Sequence, residues 1–299
     1  MLRFFTICLS LILVEYAEAQ DVPFNVLNEY ALHGTEERIN SPDDESDWLK
    51  RNHFTHGELD HFPEAAIVLH RVDVERYLKA LGFDGFYQSL SYGFTDPGLI
   101  YVIRKPGTVP FAVARGLPGA GGITTQVAEL RAMGASTIIH VGTCGLLSPD
   151  VPYGQLIISD GSYRDGAAFL LDKDMGAQIS RPDAALTAQI AKAAADQNLP
   201  LARAIGFTMP VYYFQPGSIL RDLLAITGPD KPQFVEMEEA PFFSIARLMG
   251  IRAASIVVGS DRLEAHDGKL AQRFWSGDLD ALELAAFTTA VHALTDKTR

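Results

Sequence analysis

The chain has 299 residues, 47% of them hydrophobic and 21% charged, a balance that excludes wholesale disorder, a collagen-like repeat and a coiled coil. Lys and Arg number 25 against 37 Asp and Glu, for a formal charge of −12. That argues against a nucleic-acid or anionic membrane partner, while a small anionic substrate in a local basic pocket stays possible.

The N-terminus reads as an address. Met1-Leu2-Arg3 is a short basic start, residues 4–14 are almost wholly apolar, and Ala17-Glu18-Ala19 fits a small-x-small cleavage site. This pattern predicts a secretory signal peptide over residues 1–19 and export to a periplasm or the cell exterior, with no membrane association after cleavage. The apolar run is shorter than the roughly 20 residues of a membrane span. Cys8 leaves with the signal, so Cys144 is the one cysteine expected in the mature chain and an intramolecular disulfide is excluded. Residues 20–62 are polar and irregular, as in Ser41-Pro42-Asp43-Asp44-Glu45, and predict a solvated extension.

From residue 63 the texture becomes that of one domain. Residues 65–69 predict a buried strand and 74–81 a helix; 99–104 and 109–114 are strand-like. Residues 124–133 predict a helix stopped by Gly134, and 136–141 a second buried strand running into a turn, Gly142-Thr143-Cys144-Gly145. Strands follow at 155–159 and 253–258, and helices at 184–197, 240–249 and 279–294. Strands alternating with helices predict an α/β domain over residues 63–299, with a central mixed, largely parallel sheet flanked by helices.

Three stretches carry chemistry. The strand ending in Gly142-Thr143-Cys144-Gly145 places glycines where a backbone can approach a ligand and offer N–H groups to an anion, or else it is a plain tight turn. Glu236-Met237-Glu238 puts two carboxylates after the apolar Phe234 and Val235. Buried carboxylates need partners, and sugar hydroxyls suit them, unless these acids simply decorate a helix N-terminus. Ser260-Asp261 follows an apolar strand, where ligands gather in open α/β sheets; Asp261 is a candidate proton donor or a helix N-cap. The eight histidines show no His-x-x-x-His pattern, and no Cys-x-x-Cys occurs, so neither a metal nor a cofactor is expected.

Together, in this order and spacing, these stretches resemble the nucleoside phosphorylase superfamily of purine nucleoside phosphorylases, uridine phosphorylases and related nucleosidases. The likeness extends over residues 55–295 and includes the glycine-rich segment from Gly116 to Gly134. The resemblance implies cleavage of a nucleoside N-glycosidic bond, with phosphate as co-substrate, in a homo-oligomer. It implies that Glu238, with Glu236, binds the ribose hydroxyls, that Met237 packs under the sugar, and that Phe214 stacks on the base. Thr143, Cys144 and Gly145 would line the phosphate and ribose turn, and His56 would reach a neighbouring subunit's sugar. Asp261 stands where purine-type members hold the acid that assists the leaving base. The Gln-x-Arg base reader of uridine-type members is replaced by Ser218-Ile219-Leu220, which also leans to purines.

Phosphate would fall to Arg71, Arg76, His140 and Thr143, but two positions depart from the family pattern. Val72 stands for a glycine, and His140 stands for an arginine. Valine resists positive φ and crowds an approaching anion; histidine is fractionally charged at neutral pH and makes no bidentate grip. Phosphorolysis of a purine nucleoside is the leading expectation. Hydrolysis by water is the second, and a catalytically silent nucleoside-binding protein the third.

Overall fold

The computed structural model describes residues 61–296 except 72, 91–99, 172–177, 212–216 and 267–268. The expected signal peptide and polar extension, together with His56, Val72 and Phe214, lie outside the described residues. In chain order the elements are β1 (Ala65–Leu69), α1 (Val74–Ala80), β2 (Tyr87–Leu90), β3 (Ile100–Ile103), β4 (Phe111–Arg115), α2 (Gly119–Met133), β5 (Thr137–Leu146), β6 (Leu156–Tyr163) and α3 (Gly166–Leu171). They continue with β7 (Ile179–Ser180), α4 (Ala184–Asp196), β8 (Leu201–Thr208), α5 (Gly217–Ala225), β9 (Pro232–Glu236), α6 (Glu239–Leu248), β10 (Arg252–His266), β11 (Lys269–Phe274) and α7 (Leu279–Thr295).

The alternation of side chains along β1 sets the layers. Ala66 and Val68 face one core with Ile123, Val127 and Leu130 of α2 and Phe242 and Phe243 of α6. Ile67 and Leu69 face the other, with Tyr77 of α1, Leu186 and Ile190 of α4, and Phe287 of α7. A strand covered on both faces reads as an unbroken apolar run, which is why Ala-Ala-Ile-Val-Leu is legible as one. Each large side chain buried here, such as Phe242 or Phe287, contributes about 1.5–3 kcal/mol. Aspartates start four of the helices: Asp73 accepts from Arg76 N–H (3.1 Å), Asp165 from Ala168 N–H (2.8 Å), Asp183 from Leu186 N–H (2.7 Å) and Asp278 from Ala281 N–H (3.0 Å).

The sheet is mixed with a parallel centre. β1 pairs in parallel with β4 and β5, and β5 in parallel with β10. β6, β8 and β9 run parallel to one another; β9 then returns antiparallel to β5, and β6 antiparallel to β10. The strands β5, β10, β6, β8 and β9 therefore close into a ring, and β4, β3 and β2 extend the sheet on its open side.

Three sequence expectations are corrected. Gly142-Thr143-Cys144-Gly145 is no turn: it continues β5, with Gly142 opposite Val257 and Thr143 opposite Val258 of β10. β10 does not stop at Val258 or lead into a helix but runs to His266 and folds back as β11. α2 begins at Gly119 rather than Thr124, because Gly119 takes φ +78° there and Pro118 sets the extended residue before it.

Candidate active site

The residue after β1, the second half of β5, the residues after β9 and the bend in β10 meet around a cleft of ≈ 600 Å³, a size suited to a small molecule. Its lining includes His70, Thr143, Gly145, Met237, Glu238, Asp261 and Gln272.

Asp261 is positioned by a break in pairing between β10 and β5, between Gly259 and Asp261. It is 6% exposed. Ser260 Oγ donates to its Oδ1 (2.6 Å) and Gln272 Nε2 to its Oδ2 (2.8 Å). Gly145 explains how the carboxyl sits so close to β5: a Cβ at that position would lie 3.2 Å from Asp261 Oδ2 and 3.2 Å from Val235 Cγ1.

The two acids of Glu236-Met237-Glu238 divide their work. Glu236 is saturated by the protein: it accepts from Thr208 Oγ1 (2.5 Å), Ser162 Oγ (3.1 Å), Glu238 N–H (2.5 Å) and Glu239 N–H (2.6 Å). It thus caps α6 with both oxygens occupied, while its side chain stays in the cleft lining. Glu238 stands at the N-cap position of α6 without capping its own helix. Its Oε1 accepts from Gly119 N–H at the start of α2 (2.6 Å), and its Oε2 weakly from Met237 N–H (3.3 Å). Burial raises its pKa, and these two N–H groups oppose the rise. Burial, helped by the neighbouring Glu239 and Glu238, pushes Glu236 well above the carboxylate range. Burial also lifts Glu239 to about 7, against the hydroxyls of Ser159 and Ser255.

The thiol of Cys144 packs among Leu146, Val151, Ile157 and Phe234. Burial raises its pKa well above the ordinary thiol value, and the residue lines the cleft. Thr143 is exposed and lines the cleft.

The expected phosphate cations are elsewhere. Arg71 donates to Asp280 (2.6 Å) and pairs with Glu283 (2.9 Å), both on α7. Arg76 pairs with the same Asp280 oxygen. No Lys or Arg lines the cleft among the described residues. His140 is 1% exposed behind the cleft wall, its ring 4.9 Å from that of His70. His70, a lining residue absent from the sequence expectations, follows an apolar strand directly, and that placement was the available signal. Burial lowers its pKa to about 4.

A second hollow of ≈ 450 Å³ lies between α4 and α7. There Lys192 and Asp196 pair with each other at 2.5 Å, and no comparable set of converging groups faces it among the described residues.

Comparison with known proteins agrees with this geometry. Residues 73–294 match the family model of the Phosphorylase superfamily. The chain is 24% identical over 170 residues to a purine nucleoside phosphorylase DeoD-type of Chromobacterium violaceum, covering 57% of this chain and 70% of the relative. It is 29% identical over 181 residues to a uridine phosphorylase of Thermococcus kodakarensis, covering 55% of this chain and 63% of that protein. The crystal structure of Toxoplasma gondii purine nucleoside phosphorylase in complex with immucillin-H shares the fold, with a TM-score of 0.62 at 17% identity over 79% of this chain and 93% of that one. A sequence match spanning most of the chain, on a fold whose strand ends gather Thr143, Glu238 and Asp261, places this protein in the phosphorylase superfamily.

Proposed function

We propose that the cleft cleaves the N-glycosidic bond of a purine nucleoside, with phosphate as the acceptor of the sugar. The observation that carries this reading is the pairing in one cleft of an oriented carboxyl, Asp261, with a second carboxylate, Glu238. Breaking the bond builds positive charge on the sugar and negative charge on the departing base. Glu238 accepts from the ribose hydroxyls and stabilises the first; Asp261, held by Ser260 and Gln272, hydrogen-bonds or protonates the base and relieves the second. A positioned acid of this kind is worth about 10²–10⁴ in rate. Met237 lines the same cleft and packs under the sugar.

The test is base release from inosine, adenosine and uridine, with and without phosphate. The reading expects release from the purine nucleosides in preference to uridine, and dependence on phosphate. Measurable nucleoside binding without release would overturn catalysis and leave a binding protein. A second reading, with water as acceptor and free ribose as product, is favoured by one observation: Arg71 and Arg76 are held on Asp280, away from the cleft lining. Equal release without phosphate would establish it. Export directed by residues 1–19 and a homo-oligomeric assembly belong to the same proposal; mass spectrometry of the mature N-terminus and light scattering test them.

A further inference from the structure

Beside Glu238, on the acceptor side of the cleft, stand two histidines that the proposed chemistry leaves unused. His70 is fixed beside β5 by its backbone N–H, which donates to the Val141 carbonyl (3.0 Å). His140 lies within β5, opposite Val68 of β1. One ring nitrogen of each and a carboxylate oxygen of Glu238 lie within 4.8 Å of one another. The Nε2 atoms of both histidines are buried and have no hydrogen-bond partner. A buried polar atom left in that state costs about 1–3 kcal/mol, so two of them side by side call for a ligand.

The surrounding hydrogen bonds prepare His140 to be one. Glu239 accepts from Ser159 Oγ (2.6 Å) and from Ser255 Oγ (2.7 Å). Having given its hydrogen to Glu239, Ser255 Oγ accepts from His140 Nδ1 at 2.8 Å. With Glu239 ionised, this chain assigns the His140 proton to Nδ1 and leaves Nε2 as the acceptor. A carboxylate–hydroxyl–imidazole chain of this kind orients metal-ligating histidines. The absence of a side chain at Gly116 leaves room for the His70 ring, since a Cβ there would fall 2.3 Å from its Cδ2. No Lys or Arg lines the cleft among the described residues, so no fixed positive charge there opposes a cation.

We infer that His70, His140 and Glu238 bind a divalent transition-metal ion of the imidazole-preferring kind, with Zn²⁺ as the reference, and leave further coordination positions open to the cleft. Two imidazoles and one carboxylate are an established donor set for such an ion. Ligand distances of about 2.0–2.2 Å need the three groups to draw together by roughly an ångström. Glu238 Oε2, held by Met237 N–H at 3.3 Å, is the oxygen freest to move. The sequence expectation of no metal came from local spacing, and these ligands follow β1, sit in β5 and follow β9. Only the use of the ion rests on the proposed function: it would supply positive charge beside the acceptor, where Arg71 and Arg76 do not reach.

Full-length protein stripped with a chelator and dialysed is titrated with Zn²⁺ by calorimetry and with Co²⁺ by visible absorption. The inference expects one ion per chain and Co²⁺ bands of four- or five-coordinate geometry. It expects His140→Ala to weaken affinity at least about 100-fold and Ser255→Ala, which removes only the orienting hydroxyl, about 10-fold. Should His140→Ala fail to fold by circular dichroism, His70→Asn carries the same prediction. No binding, or binding that His70→Asn and Ser255→Ala leave unchanged, overturns the site and marks an adventitious ion only. Zinc binding without nucleoside cleavage would sink the functional reading and leave the site standing; cleavage without zinc binding would do the reverse.

Discussion

The two ends of the cleft are built on different terms. At the base and sugar end, Asp261 and Glu238 are each held by protein donors, Ser260 and Gln272 for one, Gly119 and Met237 N–H for the other. At the acceptor end the arginines expected to meet phosphate are bound to Asp280 and Glu283, and two neutral histidines stand beside the cleft instead. On the proposed function, cleaving the glycosidic bond and choosing who receives the sugar rest on different residues. The first depends on strand ends, the second on which anions compete for a few arginines.

The comparison is broken most severely at Asp261. Asp261→Asn keeps the shape but removes the acid and one of the two acceptor oxygens, and we expect purine nucleoside cleavage to fall about 10²–10⁴-fold in kcat. An unchanged rate in steady-state assays would remove Asp261 from the chemistry. Glu238→Gln comes next, with an expected loss of about 10²–10³-fold in kcat/KM, because it withdraws a preorganised charge from the developing sugar cation. A rise in KM alone, with kcat intact, would make Glu238 a ground-state binder.

A smaller effect tests the backbone under Glu238. Gly119 donates to Glu238 from φ +78°, a conformation that costs an L side chain about 1–2 kcal/mol. Gly119→Ala should lower stability by that amount in urea unfolding. The smallest effect sharpens the acceptor end. Asp280→Asn frees Arg76 from a half-exposed carboxylate and leaves Arg71 on Glu283 alone, and the KM for phosphate should fall by less than about tenfold with kcat little changed. A rising KM would show that Asp280 positions those arginines for phosphate rather than withholding them.

The fold's parallel centre was legible because strands covered on both faces are continuous apolar runs, as in residues 65–69 and 253–258. Other strands were not. β8 mixes the exposed Arg203 with Gly206, β9 opens on Pro232 and ends on Glu236, and β11 is largely exposed, so none shows a clean period. Gly142-Thr143-Cys144-Gly145 resembles a turn by composition, yet Gly145 is there because Asp261 and Val235 crowd the strand. At the site, the acids were readable from their sequence company. That Glu236 caps α6 while Glu238 faces the cleft was not, since the two differ only in which N–H groups the fold turns toward them. The His70–His140 pair joins positions from two strands, a proximity that no local spacing records.

The central claim is that the base and sugar end is a working catalyst whatever serves as acceptor. It is tested most directly by single-turnover release of hypoxanthine from inosine over a range of phosphate concentrations, with Asp261→Asn run in parallel. The account predicts release that increases with phosphate and nearly vanishes in the variant. Folded protein that binds inosine and releases no hypoxanthine at any phosphate concentration would contradict it.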